Sequence, residues 1–230
     1  MPDRPDLAPA PWPDISRDEL TVAVPVGSLE QHGPHLPLDT DTRIASAVAR
    51  SLDGVIVAPA IEYGASGEHE GFPGTISLGS EVLEMLLVEY GRSTCLWARR
   101  VVFVNGHGGN GPALAKAVTL LRYEGRDAAW LPCAVPGADA HAGRTETSLL
   151  LHLSPGDVHM GQAEKGNTTP IAELMPQLRA GGMLAATTNG ILGDPTGSSA
   201  AEGAQLFGGM VGRADAAVSR WTVGPDGRLG

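Results

Sequence analysis

The chain has 230 residues with 42% hydrophobic and 18% charged side chains, a composition typical of a globular protein and not of a disordered one. Its formal net charge of −10, without a Lys/Arg cluster, argues against a nucleic-acid partner. No apolar run reaches membrane-spanning length or resembles a signal peptide, and two cysteines, Cys95 and Cys133, are too few for a disulfide framework. We therefore expect a cytoplasmic protein without membrane contact, folded as a single domain over residues 1–230, with residues 1–13 as a loosely packed N-terminal extension.

The predicted elements alternate between buried strands and amphipathic helices. A short helix over 14–18, capped by Ser16, comes first. The apolar patterns then predict strands over 21–26, 54–59, 101–104 and 128–133, and helices over 42–52, 81–97, 112–124, 171–179 and 200–221, with a further helix entered near residue 145. Such an alternation favours a mostly parallel sheet covered on both faces, so the expected fold is an α/β three-layer sandwich.

The first predicted strand leads into a polar stretch, residues 27–41, which lies between a strand and a helix. In extended backbone Glu30 and His32 project to the same side, and Asp41, near the start of the next helix, can fold back towards them. Two carboxylates and an imidazole at a strand end are ligands suited to a first-row metal ion. The alternative is a polar loop whose carboxylates cap a helix, and for Asp39 alone this alternative is favoured.

Three later segments carry His or Glu beside glycine after a predicted strand. The loop over 60–79 is long enough to indicate a binding role, and His69 within it is a candidate for substrate contact rather than a metal ligand. His107 lies in a glycine-rich turn, and His141 and Glu146 lie five residues apart around the start of a helix. This recurrence predicts a metal site assembled from strand ends.

The glycine-rich turn around His107 also has the spacing of a dinucleotide-binding loop, with Gly106, Gly108 and Gly111 after a strand. The histidine between the first two glycines, and the lack of an acidic residue at the end of the next strand, weaken that interpretation. A Ser-His-Asp hydrolase is disfavoured because the sequence has no Gly-x-Ser-x-Gly elbow.

Four motifs resemble those of the creatininase-type amidohydrolases, in that family's order. They are the stretch from Gly27 to Asp41, Phe72-Pro73-Gly74-Thr75, the turn from Asn105 to Asn110, and His141-Ala142-Gly143-x-x-Glu146-Thr147-Ser148. Within the family, the compact length and the sequence from Leu36 to Thr42 look most like a branch of peptidases. Those enzymes remove a C-terminal Val-Tyr dipeptide from a modified precursor peptide.

The resemblance implies a centre of two divalent metal ions, which would be zinc, iron(II) or manganese. The ligands it implies are Glu30, His32, Asp41 and His107. Asp41 would bridge the two ions, and Glu146 would replace a glutamate that creatininase has where this chain has Gly109. His141 matches the family's proton shuttle, so His141 and Glu146 are the catalytic candidates. The candidates for substrate contact are His69, Phe72, Gly74, Thr75 and Asn110.

The function that the resemblance implies is hydrolysis of a peptide amide by a metal-activated water, in a homo-oligomer that the family makes a hexamer. A second alternative within the family is a small amide substrate, as in creatininase or in the formamide hydrolases of riboflavin and deazaflavin pathways. An alternative of another class is a non-catalytic metal- or nucleotide-binding module. Metal content and turnover distinguish that module from a hydrolase.

Overall fold

A computed structural model describes residues 6–230 of the chain, and residues 1–5 lie outside it. The strands are β1 (Thr21–Val26), β2 (Val55–Val57), β3 (Arg100–Asn105) and β4 (Ala128–Pro132). The helices are α1 (Thr40–Ser51), α2 (Ser80–Thr94), α3 (Gly111–Tyr123), α4 (Arg144–Leu153), α5 (Ile171–Ala186) and α6 (Ala200–Arg220). Short 3₁₀ turns include Trp12–Asp14, Gly67–His69 and Gly108–Asn110.

The four strands form one sheet in the order β2-β1-β3-β4, and every pairing is parallel. Each strand is a short apolar run buried along almost its whole length, as expected when helices cover both faces of a parallel sheet. Because all strands run in the same direction, their carboxyl ends meet at one edge. The loops that leave this edge carry all of the polar motifs.

Alternate residues of the strands serve two separate cores, since successive side chains point to opposite faces. On one face, Ala23 and Val102 pack with apolar residues of α1, α4 and α6. On the other face, Val24 and Phe103 pack with apolar residues of α2 and α3. The expected α/β sandwich of three layers is therefore confirmed, and the apolar stripe of α6 belongs to the core.

Helix α5 extends beyond the predicted range of 171–179 and reaches Ala186. Its regular geometry is interrupted at Gly181 and Gly182, and Gly182 has φ +64°, a conformation that favours glycine. The α5 residues Leu174 and Met183 form a small core cluster with Leu192, against which Phe72 packs. Helix α5 thereby covers the carboxyl edge of the sheet.

The N-terminal predictions met with mixed outcomes. The helix expected over 14–18 is wrong: a 3₁₀ turn ends at Asp14, and Asp18 has φ +60°, which helical backbone does not allow. Residues 1–5 of the expected loose extension lie outside the described residues, whereas Asp6 pairs with Val57 at the edge of the sheet. Over residues 6–230, none of the helices is both long and apolar enough to cross a membrane.

Candidate metal centre and active site

Every strand of the sheet contributes to one cluster of carboxylates and imidazoles at its carboxyl edge. The loop after β1 supplies Glu30 and His32, and α1 supplies Asp41. The cluster also includes Glu68 and His69 after β2, His107 after β3, His141 after β4, and Glu146 in the first turn of α4. The cluster therefore unites residues more than a hundred positions apart in the sequence.

Two glycines allow the first turn of α1 to approach the sheet edge closely. A Cβ on Gly27 would lie 2.6 Å from Cα of Thr42, and a Cβ on Gly106 would lie 2.9 Å from the carbonyl carbon of Asp41. Both distances are too short for a real side chain, so glycine is required at both positions. Ser28 Oγ donates a hydrogen bond to Asp41 Oδ2. This packing explains why Asp41 folds back onto the strand end.

Asp41 lies between two histidines. Its Oδ1 is 3.5 Å from His32 Nε2, and its Oδ2 is 3.4 Å from His107 Nδ1. Glu30 Oε2 approaches the same His107 nitrogen to 3.2 Å, and Glu146 Oε2 lies 3.9 Å from His32 Nε2. Glu30, Asp41 and His107 thus face one point, and His32, His141 and Glu146 face a second.

The two histidines beside Asp41 have the hydrogen bonds of metal-ligating imidazoles. His32 Nδ1 donates to the carbonyl oxygen of Glu30 over 3.1 Å, and His107 Nε2 donates to the carbonyl oxygen of Ala65 over 3.2 Å. Each ring consequently turns its other nitrogen towards the carboxylates, and that nitrogen has a lone pair for a metal ion once its proton is lost. Backbone carbonyls on the far nitrogen of a ligating histidine are a regular feature of metal sites.

The fit of a divalent cation is tested by the buried polar atoms without partners. Glu30 and His32 are both 0% exposed, yet both oxygens of Glu30 and Nε2 of His32 have no hydrogen-bond partner among residues 6–230. Such groups are costly to bury unless another atom compensates them. Carboxylate oxygens and imidazole nitrogens are ligands of Zn²⁺, Mn²⁺ and Fe²⁺, so the residues fit a transition-metal centre.

The protonation of the metal-free cluster follows from the same contacts. Burial alone would lower the pKa of His32, but the carboxylates of Asp41 and Glu146 raise that pKa to about 10. Burial would raise the pKa of Glu30, but His107 lowers it to about 2. Burial raises the pKa of Glu146 to about 7. Burial and the neighbouring His32 and His69 hold the pKa of His141 well below its ordinary value.

His69 lies inside the cluster and not at its rim. The side chain is buried, and its Nε2 is 3.2 Å from Glu30 Oε1. His69, Glu30 and His141 form a third group of converging candidate ligand atoms. The ring that we expected to contact substrate therefore faces the buried carboxylate of Glu30.

No sequence motif singles out Glu68, which lies at the edge of the cluster. Its Oε1 lies 3.3 Å from Nε2 of His107, on the side of the ring away from Asp41. The same oxygen lies 2.7 Å from the position that a Cβ on Gly109 would take. Glu68 thus fills the space that glycine leaves at 109, whereas Glu146 lies beside His32. The signal in the sequence was the adjacent pair Glu68-His69 in a long glycine-rich loop.

The other candidates for substrate contact lie away from the open space above the cluster. Asn110 is fully buried, and its side chain bonds Ala65 N, Gly27 O and Asn105 Oδ1, so its amide is engaged within the protein. Thr75 Oγ1 accepts from Gln31 N, Phe72 packs against the α5 cluster, and Gly74 adopts φ +92° in a turn. We expected these residues to contact substrate. Instead their contacts shape the loops around the site, and none of them lines the cavity.

A cavity of about 560 Å³ opens above the cluster. Its polar floor includes Asp41, His69, His107, His141 and Glu146. Its opposite wall is largely apolar and is formed mainly by α5, through Ile171, Met175, Leu178 and Met183. Arg179 is the one Lys or Arg side chain among the residues that line it. A pocket of this size and character is typical of small-molecule and peptide sites.

Comparison with known proteins identifies the class to which this fold and site belong. The sequence model of the creatininase family, described as creatinine amidohydrolase, matches residues 9–218. The chain belongs to the creatininase family. A solved creatininase described as its Mn form superposes with a TM-score of 0.79 and 25% identity, covering 95% of this chain and 98% of that one. A creatininase variant of Zn–Zn type gives 0.73 and 27%, covering 88% and 90%.

One relative is much more similar than these solved structures. The mycofactocin precursor peptide peptidase of Mycolicibacterium smegmatis is 60% identical over 217 residues, covering 90% of this chain and 88% of the relative. The similarity thus extends over nearly the whole of both proteins and includes the site.

Proposed function

We propose that this chain is a metal-dependent peptidase that cleaves the mycofactocin precursor peptide near its C-terminus and releases a Val-Tyr dipeptide. The observation that carries the hydrolytic part is the buried Glu30 carboxylate, whose two unpartnered oxygens face imidazole nitrogens below an open cavity. The near full-length similarity to a peptidase of that name supports the choice of substrate.

In this proposal Glu30, Asp41 and His107 would hold one divalent ion, and His32, Asp41 and Glu146 would hold a second. Asp41 would serve both ions, since its two oxygens face different histidines. Zinc, manganese and iron(II) all suit this donor set, and the related creatininase structures are described as Mn and Zn–Zn forms. When bound, such ions lower the pKa of water and polarise an amide carbonyl.

His141 is suited to move the proton between the attacking water and the leaving amine. Its Nε2 donates to the carbonyl oxygen of Gln31 over 2.8 Å, so Nδ1 carries the lone pair and faces the cluster, 3.8 Å from Glu30 Oε1. Its lowered pKa keeps the ring neutral near pH 7, so that Nδ1 is not already protonated when the water reacts. The same nitrogen then donates that proton to the amine as the amide bond breaks.

The cavity wall is suited to the apolar end of a peptide. Met175 and Leu178 of α5 offer an apolar surface opposite the polar floor, where valine and tyrosine side chains can be buried. The exposed guanidinium of Arg179 provides a cation for a peptide carbonyl or for the carboxylate produced by cleavage.

We expect the enzyme to be a homo-oligomer, as the family resemblance implies. Light scattering of the purified protein tests this expectation.

The test combines metal content with cleavage. The protein is purified anaerobically, its metals are counted per chain, and a precursor peptide with a decarboxylated, cross-linked Val-Tyr end is added. We expect two metals and release of the dipeptide, observed by mass spectrometry, with Asp41→Ala as the inactive control. Two metals without release would contradict the peptide substrate and redirect the search to small cyclic or formyl amides. A protein without metal or turnover would contradict the hydrolase itself.

A further inference from the structure

Gln31 lies between the two motif residues Glu30 and His32, and its side chain is buried. The amide contacts two histidines of the cluster: its Nε2 is 2.9 Å from His69 Nδ1 and 3.1 Å from His141 Nε2. It also approaches the carbonyl oxygen of Gly190 to 3.0 Å. A buried amide with so many partners determines how hydrogen atoms are distributed among them.

The orientation of the amide is fixed by backbone groups. Gly33 N donates to Gln31 Oε1 over 2.9 Å, and the carbonyl oxygen of Gly190 requires a donor, which Nε2 supplies. Gly190 has φ +79°, and a Cβ there would lie 2.6 Å from Cδ of Gln31, so glycine is needed for this approach. The NH₂ group therefore points at the two histidines.

Counting hydrogens assigns both imidazole tautomers. His141 Nε2 faces the carbonyl oxygen of Gln31 at 2.8 Å and must carry a hydrogen to bond it, so it cannot also accept from the amide. The two amide hydrogens then go to Gly190 O and to His69 Nδ1. His69 Nδ1 is consequently an acceptor, and its hydrogen is on Nε2, which faces Glu30 Oε1 at 3.2 Å.

We propose that Gln31 is a positioning residue that sets the tautomers of His69 and His141, so that His69 carries its hydrogen on the nitrogen that faces Glu30 and His141 presents a lone pair to the reacting groups. His69 then supports Glu30 as an outer partner, and it is neither a metal ligand nor a substrate contact. The side chain of Gln31 controls His69, whereas its backbone carbonyl controls His141. The consequence for catalysis rests on the proposed function; the tautomers themselves do not.

Gln31→Glu tests this assignment because it retains the size of the side chain and replaces the NH₂ donor by an acceptor. The probe is the set of ¹⁵N-labelled histidine rings, with His69→Gln and His141→Gln used to assign the signals. In the wild-type, metal-free protein we expect hydrogen on Nε2 and none on Nδ1 for both rings. In Gln31→Glu, Nδ1 of His69 should gain a hydrogen to bond the new carboxylate, while His141 keeps its tautomer.

The metal alone provides the second readout. Titration with Mn²⁺, followed by the electron paramagnetic resonance of the free ion, should give an affinity about ten- to a hundredfold weaker in Gln31→Glu. Gln162→Glu introduces the same charge at an exposed position and should bind Mn²⁺ like the wild type. In the loaded enzyme, kcat should fall while KM stays unchanged.

The outcomes separate this inference from the proposed function. A wild-type His69 with hydrogen on Nδ1, or a folded Gln31→Glu protein whose His69 is unchanged, overturns the role of Gln31. The wild-type spectrum decides the assignment even where the variant does not fold, as judged by circular dichroism. Absence of peptide cleavage by the wild type would overturn the proposed function and leave the tautomer result standing.

Discussion

The carboxylate of Glu68 lies in the space that a side chain at Gly109 would need. A Cβ there would lie 2.7 Å from Glu68 Oε1 and 2.6 Å from Ala65 O, and it would collide with His107 Nε2. The glycine therefore keeps room for the two acceptors that hold the far nitrogen of His107. Gly109, where this chain departs from the creatininase pattern, is thus matched by Glu68 from the loop after β2.

Gly109→Ala should weaken metal binding about ten- to a hundredfold, because it displaces the acceptors that orient a ligating histidine. Gly111→Ala is the matched control: it lies two positions on and has helical backbone, and among the described residues no atom beyond its chain neighbours and its own helix backbone lies within 4 Å of its Cβ position. The metal content of each variant after chelation and reloading measures the effect of the two substitutions. A Gly109→Ala protein with wild-type affinity would contradict the role given to Glu68.

Asp41→Ala should lose both ions and all turnover, because the carboxylate faces His32 with one oxygen and His107 with the other. Asp39→Ala is the control, since Asp39 lies in the same segment but pairs with Arg43 on the surface and points to no histidine of the cluster. Elemental analysis and peptide cleavage are the measurements. An active Asp41→Ala enzyme, or one that still holds two ions, would exclude a shared ligand at this position.

Metal binding should release protons, and its affinity should rise with pH. The pKa of His32 is raised to about 10 and that of His107 well above its ordinary value, so both rings carry an extra proton near pH 7 in the metal-free protein. A metal ion must displace those protons, so binding weakens as pH falls and strengthens until pH passes these raised pKa values. Glu146, with a pKa of about 7, adds to the release below neutrality.

Calorimetry of Zn²⁺ binding in buffers of different ionisation enthalpy measures this release. Near pH 7.5 we expect roughly two protons per chain at full loading, one for each of the two histidines. His32→Gln should bind less metal and release about one proton fewer. A binding enthalpy independent of the buffer would contradict this account of the cluster.

His141→Ala should keep both metals and lose about 10²- to 10⁴-fold in kcat, the contribution typical of general acid–base catalysis. Its Nδ1 faces the cluster at 3.8 Å from Glu30 Oε1, whereas its Nε2 is bonded to backbone. His152→Ala, at an exposed position of α4, should leave kcat unchanged. Loss of metal from His141→Ala would make this histidine a ligand instead.

Much of the fold could be predicted because its strands are buried on both faces. Continuous apolar runs such as 101–104 have no solvent-facing positions to interrupt them, so the predicted strand ends close to the observed ends of β3. The second half of α5 could not be predicted, since Gly181 and Gly182 interrupt the helical pattern and the helix depends on packing against the loop after β2. Local propensity was overridden there by tertiary contact.

For the site, Glu30, His32, Asp41, His107, His141 and Glu146 could be grouped because parallel strands deliver their loops to one edge. The roles around them depend on contacts between distant segments. Gln31 contacts His69 and His141, which lie 38 and 110 positions away. Glu68 occupies the space that the absence of a side chain at Gly109 leaves open. Neither relationship has a spacing that sequence reading can detect. The burial of Asn110 likewise depends on contacts with distant segments and could not be predicted from its position in the sequence.

The packing of α6 on α4 gives a prediction of stability that is independent of the site. A Cβ on Gly203 would lie 2.6 Å from the carbonyl carbon of Ser148, so Gly203→Ala should force the two helices apart and cost roughly 1–3 kcal/mol. At the exposed Gly208 of the same helix, no described atom beyond its chain neighbours and its own helix backbone lies within 4 Å of the Cβ position, and Gly208→Ala should add roughly 0.5–1 kcal/mol through helix propensity.

Urea unfolding of the metal-free proteins, monitored by circular dichroism, measures both changes. The gain in helix propensity is common to the two substitutions, so the difference between them isolates the collision with α4. If Gly203→Ala were as stable as Gly208→Ala, the close contact between α4 and α6 would be contradicted. Because α4 also carries Glu146 in its first turn, a destabilised Gly203→Ala protein should in addition bind its second metal ion more weakly than Gly208→Ala.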